Sequence, residues 1–367
     1  MFDMSDLDPK KPYYSINIYK YRILDALSSV FQNKVLLLVN NDNAEYVRNK
    51  YPQYEQVIYT PLAHKPYHIS VLRDWLQRNH FQKFVNSLPC DCFFSASNID
   101  YKITPKLNAR KVVVIHDIKS IWEVSGFSRW RVKNYYESLV NNSDATIAIS
   151  KYTRSHIIES ISGVNASKIK VVYNSIKLAD RSVEVEELRD VKYILYVNTL
   201  DVYKNIITLA KAYSRFPLHR MYKLIVVAKH NEYWDNVVMP IFNDSGIGDN
   251  VLLMSGIEDG VLKYLYENAS LFVSPSLNEG FGYTPIEAAM CLCPVLCTKC
   301  EALPDTTMGL LNYYDNPMDD EELANKMEML LASEKDEKIL KEISCTYKEK
   351  YSPQRQVSKI IKILGMG

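Results

Sequence analysis

Residues 270–300 read SLFVSPSLNEGFGYTPIEAAMCLCPVLCTKC. The opening run, SLFVSP, is the pattern of a buried strand. Gly280 and Gly282 follow, and glycine permits positive φ and close approach of the backbone to a ligand. Thr284, Pro285 and Glu287 then spell a helix start, with Thr at the N-cap, Pro at N1 and Glu at N3 of a capping box. PVLC (294–297) reads as the next strand. Strand, glycine turn, helix and strand in succession are the repeating unit of a parallel α/β sheet.

The same grammar extends outward in both directions. Apolar, largely β-branched runs occur at 34–39 (KVLLLV), 111–116 (KVVVIH), 145–150 (ATIAIS), 168–173 (KIKVVY), 192–197 (KYILYV), 223–228 (KLIVVA) and 250–255 (NVLLMS). Most do not alternate, which is how strands covered on both faces read. Helical patterns separate them at 16–30, 71–86, 131–141, 152–161, 206–216, 262–268, 285–291 and 321–332, and a last one spans 353–364. The fold class is therefore α/β, with doubly wound sheets. The polar stretch 177–191, KLADRSVEVEELRDV, has no strand signal and serves as the linker. It divides the chain into a domain over 1–178 and a domain over 192–350. Residues 351–367 form a closing helix that can cross back to the first domain. Two such domains are expected to face each other across a cleft, with ligands at the carboxyl ends of the strands.

The bulk numbers agree with a two-domain globular protein. The chain has 367 residues, 47% hydrophobic and 24% charged, long for one core. No apolar run reaches the roughly 18–20 residues that span a bilayer. The start, MFDMSDLDPKK, is acidic and lacks an apolar core, so no signal peptide is expected, although the first strand looks clipped. Seven cysteines without a secretory signal point to reduced thiols and a cytoplasmic location. Net charge is +1, but residues 1–180 carry 24 Lys and Arg against 16 Asp and Glu, a net +8, and the remainder carries a net −7. A basic first half suits an anionic partner, such as a phosphate-bearing substrate or a membrane surface. Chance asymmetry between two domains explains it equally well. No nucleic-acid partner is expected.

Two sets of side chains around the opening stretch are candidates for chemistry. Glu279 stands past a strand and before a glycine turn, where a carboxylate has no helix-capping role. It can stabilise a developing cation or hold a substrate hydroxyl, or be a solvated loop residue. Glu287 can cap its helix or accept hydrogen bonds from vicinal hydroxyls of a ligand. The free amides at the start of that helix suit a phosphate or diphosphate. The cysteines Cys291, Cys293, Cys297 and Cys300 offer a spacing that zinc can use, but they flank a helix end and a strand, where small buried thiols are ordinary core residues. Packing is the preferred reading, with no metal.

The stretch SPSLNEGFGYTPIEAAMCLCPVL, with seven residues between Glu279 and Glu287, resembles the signature region of the retaining family-4 glycosyltransferases. VIHDI (114–118), SDATIAISKYTRSHI (143–157), KIKVVYNSI (168–176), YILYVNTLDVYKNI (193–206) and LKYLYENASLFVSPS (262–276) resemble further family segments in the same order. The resemblance runs from about residue 112 to 332. It implies the GT-B architecture of two Rossmann-like doubly wound domains facing across a cleft. It implies a nucleotide-sugar donor, a glycan or lipid-linked acceptor, retention of anomeric configuration and no cofactor or metal. By position, Glu279 would contact the transferred sugar and His116 the donor sugar. Glu287 would bind the ribose, Lys204 would neutralise the diphosphate, and backbone near Ile257 would meet the base. Asn198, Thr199, Gly280, Phe281, Gly282, Tyr283 and Thr284 complete the implied donor site. Lys229 faces the phosphates or is a surface lysine.

The sequence also departs from that pattern. YYSINIYKY (13–21) has no glycine where many members place a glycine-rich loop, and the first glycine is Gly126. Asn198, Thr199 and Tyr203 occupy positions where some members carry an arginine. A catalytically silent nucleotide-sugar-binding module, or an epimerase or phosphorylase on the same fold, is the alternative. Finally, WEVSGFSRWRVKNYYESL (122–139) mixes Trp, Phe, Arg, Lys and Tyr. It reads as a loop and packed helix, or as a surface that meets an anionic membrane.

Overall fold

A computed structural model describes residues 1–11, 15–31, 34–62, 70–96 and 106–366. The chain divides into two compact units, Met1–Ser175 with Pro353–Gly367, and Ile176–Ser352.

Among the described residues the first unit holds a seven-stranded sheet. Its strands are β1 (Phe2–Asp3), β2 (Leu36–Val39), β3 (Glu55–Ile58), β4 (Cys92–Ser95), β5 (Arg110–Ile115), β6 (Ala145–Ala148) and β7 (Ile169–Val171). The spatial order is β3-β2-β1-β4-β5-β6-β7, and every pairing is parallel. The second unit holds six described strands, β8 (Tyr193–Val197), β9 (Lys223–Val227), β10 (Val251–Met254), β11 (Leu271–Ser274), β12 (Val295–Thr298) and β13 (Asn312–Tyr314). Their order is β10-β9-β8-β11-β12-β13, again all parallel. Both sheets thus follow the doubly wound order 3-2-1-4-5-6, whose direction reverses between the first and fourth strands. In the second unit that switch point lies between β8 and β11.

The apolar runs earn their place by burial. Every residue of β8 and of β11 is buried. Helix Ile206–Arg215 buries Ile206, Leu209, Ala210 and Tyr213, the i, i+3, i+4, i+7 face, against that sheet. Helix Pro353–Leu364 buries Gln356, Val357, Ile360 and Ile361 and packs on helix Ser15–Val30 of the first unit. Residues 177–191 are irregular apart from one 3-10 turn. They are tied to the second unit by the Val183 amide on the Gly260 carbonyl and by Lys263 Nζ on the Asp180 carbonyl.

Three described strands carry no apolar signal that the sequence reading used. β3 and β13 are edge strands with exposed positions, and β4 is only four residues long, CFFS. Helix Glu337–Lys350 buries Ser344 and Tyr347 on one face, and the sequence reading passed over it because its composition is dominated by charged residues.

The segment after β1, which lacks glycine, is held by side-chain amides instead. Asn43 Nδ2 donates to the carbonyls of Met4 and Leu7 at 2.8 and 2.9 Å. Asn40 Nδ2 donates to the Ser5 carbonyl at 2.7 Å. Lys20 is fully buried and paired with Asp6 at 2.7 Å. These bonds satisfy the turn's buried backbone without requiring positive φ.

Candidate active site

The candidate donor residues lie at the carboxyl ends of the second unit's strands. Asn198 and Thr199 follow β8, Lys229 follows β9, Ile257 lies beyond β10, and residues 279–287 follow β11. Two loops meet at the switch point. After β8 a 3-10 turn, Val202–Lys204, leads into Asn205, whose backbone is left-handed at φ 57°. Asparagine tolerates that conformation better than most residues. Its Nδ2 donates to the Pro275 and Pro317 carbonyls at 3.0 and 2.7 Å, and the Leu277 amide donates to the Tyr203 carbonyl at 2.8 Å. The β8 loop is thereby laced to the β11 loop, and Lys204 is delivered to Glu279.

Lys204 Nζ lies 2.7 Å from Glu279 Oε1, and both side chains are nearly buried, 12% and 11% exposed. Ser276 Oγ donates to the same oxygen at 3.0 Å, and Asn198 Nδ2 approaches it at 3.5 Å. Thr199 is turned aside, its hydroxyl donating to Asp201 at 2.6 Å. Glu279 is thus a gripped carboxylate and not a solvated loop residue.

The helix after the glycine turn differs from the sequence reading. It runs Tyr283–Met290, its N-cap is Gly282 at φ 83°, and no side chain caps it. Thr284 and Pro285 therefore lie inside the first turn, and Glu287 stands too far along to close a capping box. That N-cap position calls for glycine, because its backbone is left-handed and a Cβ there would stand 2.3 Å from Leu303 Cδ2. The Glu287 carboxylate instead accepts a hydrogen bond from the buried Tyr266 hydroxyl at 3.2 Å. Phe281 is also placed otherwise than a donor contact would require. Its ring is buried against Tyr283 and Tyr351 at 4.8 and 5.5 Å, which leaves its backbone alone to meet a ligand.

His116 belongs to the first unit, one residue past β5. Its Nε2 lies 3.1 Å from the Ala96 carbonyl and its ring packs edge-on to Tyr19 at 4.8 Å. A carbonyl only accepts, so Nε2 carries the proton and Nδ1 is left as an acceptor. Burial lowers its pKa to about 4, against the raising effects of Ala96 and Asp117 and helped by the Lys20 charge. The ring is therefore neutral at physiological pH. An unfolded histidine titrates near 6.5, so below that pH the unfolded chain gains a proton the folded one refuses. Stability should fall as pH drops from 6.5 toward 4. Urea unfolding of wild type and His116→Asn should show the wild type losing ground across that window; parallel pH curves would contradict it.

The cysteines are part of the packing. Cys291 ends the Tyr283–Met290 helix, Cys297 is central in β12, and Cys293 Sγ donates to the Pro294 carbonyl at 3.3 Å. Burial pushes the thiols of Cys291 and Cys293 up to about 12, Cys300 to about 11, and Cys297 further up. Among the described residues no three His, Cys, Asp or Glu side chains are grouped to hold a metal ion. Among them, too, no helix is long and apolar enough to cross a membrane.

Sequence reasoning passed over Ser276, Tyr266 and Glu301. Glu301 lies just past β12, and inspecting that strand's carboxyl end would have found it. The carboxylate of Glu301 accepts the Glu279 amide at 2.7 Å.

Two family models match the chain in succession: Glycosyltransferase Family 4 over residues 27–180 and Glycosyl transferases group 1 over residues 180–344. Among curated proteins, O-antigen chain mannosyltransferase B of Escherichia coli is 28% identical over 211 residues, 53% of this chain and 55% of the relative. O-antigen chain mannosyltransferase RfbU of Salmonella typhimurium is 28% identical over 221 residues, 59% and 60% of the two chains. The match therefore spans less than two thirds of these relatives. Among solved structures, a glycosyltransferase from Rickettsia africae superposes with a TM-score of 0.75 at 16% identity, covering 99% of this chain and 96% of that one. Anabaena HepE in complex with UDP gives 0.74 at 17% identity, covering 99% and 98%. At such identities the structures establish the fold. With paired family models over residues 27–344, two doubly wound sheets and the ordered motifs around Glu279, the chain belongs to the family-4, group 1 glycosyltransferases of GT-B fold.

Proposed function

We propose that the chain is a retaining glycosyltransferase that moves a hexose from a nucleoside-diphosphate sugar to a glycan or lipid-linked acceptor. The observation that carries the reading is the Lys204–Glu279 pair at the switch point of the second sheet. Breaking a sugar–phosphate bond leaves positive charge on the sugar and negative charge on the departing diphosphate. Lys204 and the amides at the start of helix Tyr283–Met290 meet the diphosphate, and Glu279 meets the sugar. The C1–oxygen bond to phosphate breaks, the acceptor hydroxyl bonds to C1 on the same face, and its proton passes to the leaving phosphate oxygen. No metal and no separate general base is needed. Glu287, oriented by Tyr266, accepts from the ribose hydroxyls. The backbone near Ile257 meets the base, and Lys229 lies toward the phosphates. Neutral His116 accepts a hydrogen bond from a sugar hydroxyl through Nδ1. The names of the O-antigen relatives make mannose the first sugar to try.

The test is a thermal-shift screen against nucleoside diphosphates and their sugars, followed by transfer assays. A ligand present at about 100 times its Kd stabilises the fold by about 2.7 kcal/mol. Binding with neither transfer nor slow donor hydrolysis would leave a silent binding module, and conversion of the donor without acceptor would make the protein an epimerase.

The acceptor side includes a membrane contact on the cytoplasmic face. Phe127 and Trp130 are 72% and 56% exposed and stacked at 5.3 Å, on helix Gly126–Asn142. Trp122 is exposed nearby, with exposed Arg131 on the same helix. Such aromatic and basic side chains suit the interface of an anionic bilayer. Sedimentation with anionic vesicles should fall at least about fivefold in a Phe127→Ser, Trp130→Ser variant and at high salt; binding insensitive to both would remove this role.

A further inference from the structure

Glu301 has a left-handed backbone, φ 45°. A side chain with a Cβ resists that conformation, and it persists where surrounding contacts over-determine it. Those contacts converge on Glu279. The Glu279 amide donates to Glu301 Oε2 at 2.7 Å, and the Glu279 carbonyl accepts from the Ala302 amide at 3.2 Å. Asn278 Nδ2 donates to Glu301 Oε1 at 2.5 Å. Three residues earlier, at the end of β12, Thr298 Oγ1 donates to the Ser276 carbonyl at 2.7 Å. Both backbone polar groups of Glu279 are thus held by residues 301 and 302, and the peptide before it is held through Asn278. A carboxylate is suited to this task, because each oxygen accepts from a different donor and neither presents a proton. Glycine would take the same φ without strain and supply no acceptor.

We propose that Glu301 is a positioning residue for Glu279: it fixes the peptide from which the Glu279 side chain springs, and so sets where that carboxylate meets the donor sugar. The proposal rests on the sugar-contacting role assigned to Glu279. It also separates two jobs. Lys204 and Ser276 hold the tip of Glu279, and they are placed to exchange partners when a donor enters. Glu301 holds the root, which has no reason to move.

The experiment compares wild type with Glu301→Gly and Glu301→Asn. Both variants tolerate left-handed φ; one has no acceptor and the other has a shorter arm. Each is measured for Tm, kcat, donor KM, and the ratio of affinities for UDP and UDP-glucose and for GDP and GDP-mannose. Glu301→Gly relieves the backbone strain but leaves the Glu279 amide and Asn278 Nδ2 without their acceptor, so Tm should change little, yet kcat should fall about 10- to 100-fold with donor KM within about threefold. Affinity for the bare diphosphate should hold, and the increment added by the sugar should shrink. Glu301→Asn should lose kcat in the same direction. A glycine variant with higher Tm and wild-type kcat overturns the proposal, because a strained turn residue with no hold on Glu279 behaves that way. If wild type binds a nucleotide sugar but transfers nothing, the assigned activity falls, and the sugar increment alone decides Glu301: retained in Glu301→Gly, it overturns the proposal. Failure to bind any of the four probes overturns both.

Discussion

Glu279→Ala is expected to lower kcat by at least about 10³-fold while nucleoside-diphosphate binding survives. The carboxylate proposed to meet the sugar is lost, but none of the groups proposed to meet the diphosphate is removed. Lys204 in fact gains freedom. Its ammonium is paired with Glu279 at 2.7 Å, so a donor diphosphate has to compete for it. Without Glu279 that competition is gone, and diphosphate affinity should hold or rise. The fold suffers moderately, because a nearly buried lysine and the Ser276 hydroxyl lose their acceptor. A cost of order 1–3 kcal/mol is expected from such orphaned groups. Calorimetric titration with the diphosphate, next to a transfer assay, separates the effects. Full activity in this variant would remove Glu279 from the chemistry; loss of diphosphate binding together with activity would make it a structural residue.

Lys204→Ala should produce the opposite pattern. Diphosphate affinity is expected to fall about 100-fold, roughly 2.7 kcal/mol, as a charge-assisted contact in a partly buried site is lost. Turnover should fall as well, since in the proposed mechanism the same ammonium offsets charge on the leaving group. Glu279 would keep Ser276 and the long Asn198 contact, yet its charge would lack a counterion. Pairing this change with Glu279→Ala should therefore cost less stability than the two single changes added together. Unchanged diphosphate affinity in Lys204→Ala would move the phosphates elsewhere, and Lys229 would be the next lysine to test.

The sequence was most legible where burial acts on both faces of a strand. The runs at 193–197 and 271–274 could be read at sight because every side chain in them is covered. The edges were not legible, since Glu55–Ile58 and Asn312–Tyr314 expose part of their length and so mix polar with apolar residues. At the site, Glu279 was singled out by its place before the glycine turn and Lys204 by the family resemblance, and the two side chains touch. Glu287 was left between two roles by local chemistry, because Thr-Pro-x-Glu spells a capping box. The helix instead starts from Gly282 in a left-handed backbone, where a Cβ would meet Leu303, and no local rule contains that contact. Glu301 was hidden for a different reason. Its partner is a backbone amide 22 positions away, and backbone partners leave no trace in residue identity.

Helix Pro353–Leu364 is grouped with the first unit, against helix Ser15–Val30. A ribosome makes residues 1–175 first but delivers this piece only after all of residues 176–352. At about 5–20 residues per second, that delay is on the order of ten seconds or more. The half of the molecule that emerges earliest is thus completed last. Until then the apolar face that receives Val357, Ile360 and Ile361 stays uncovered, and a nascent chain stalled within the second unit would be a substrate for chaperones.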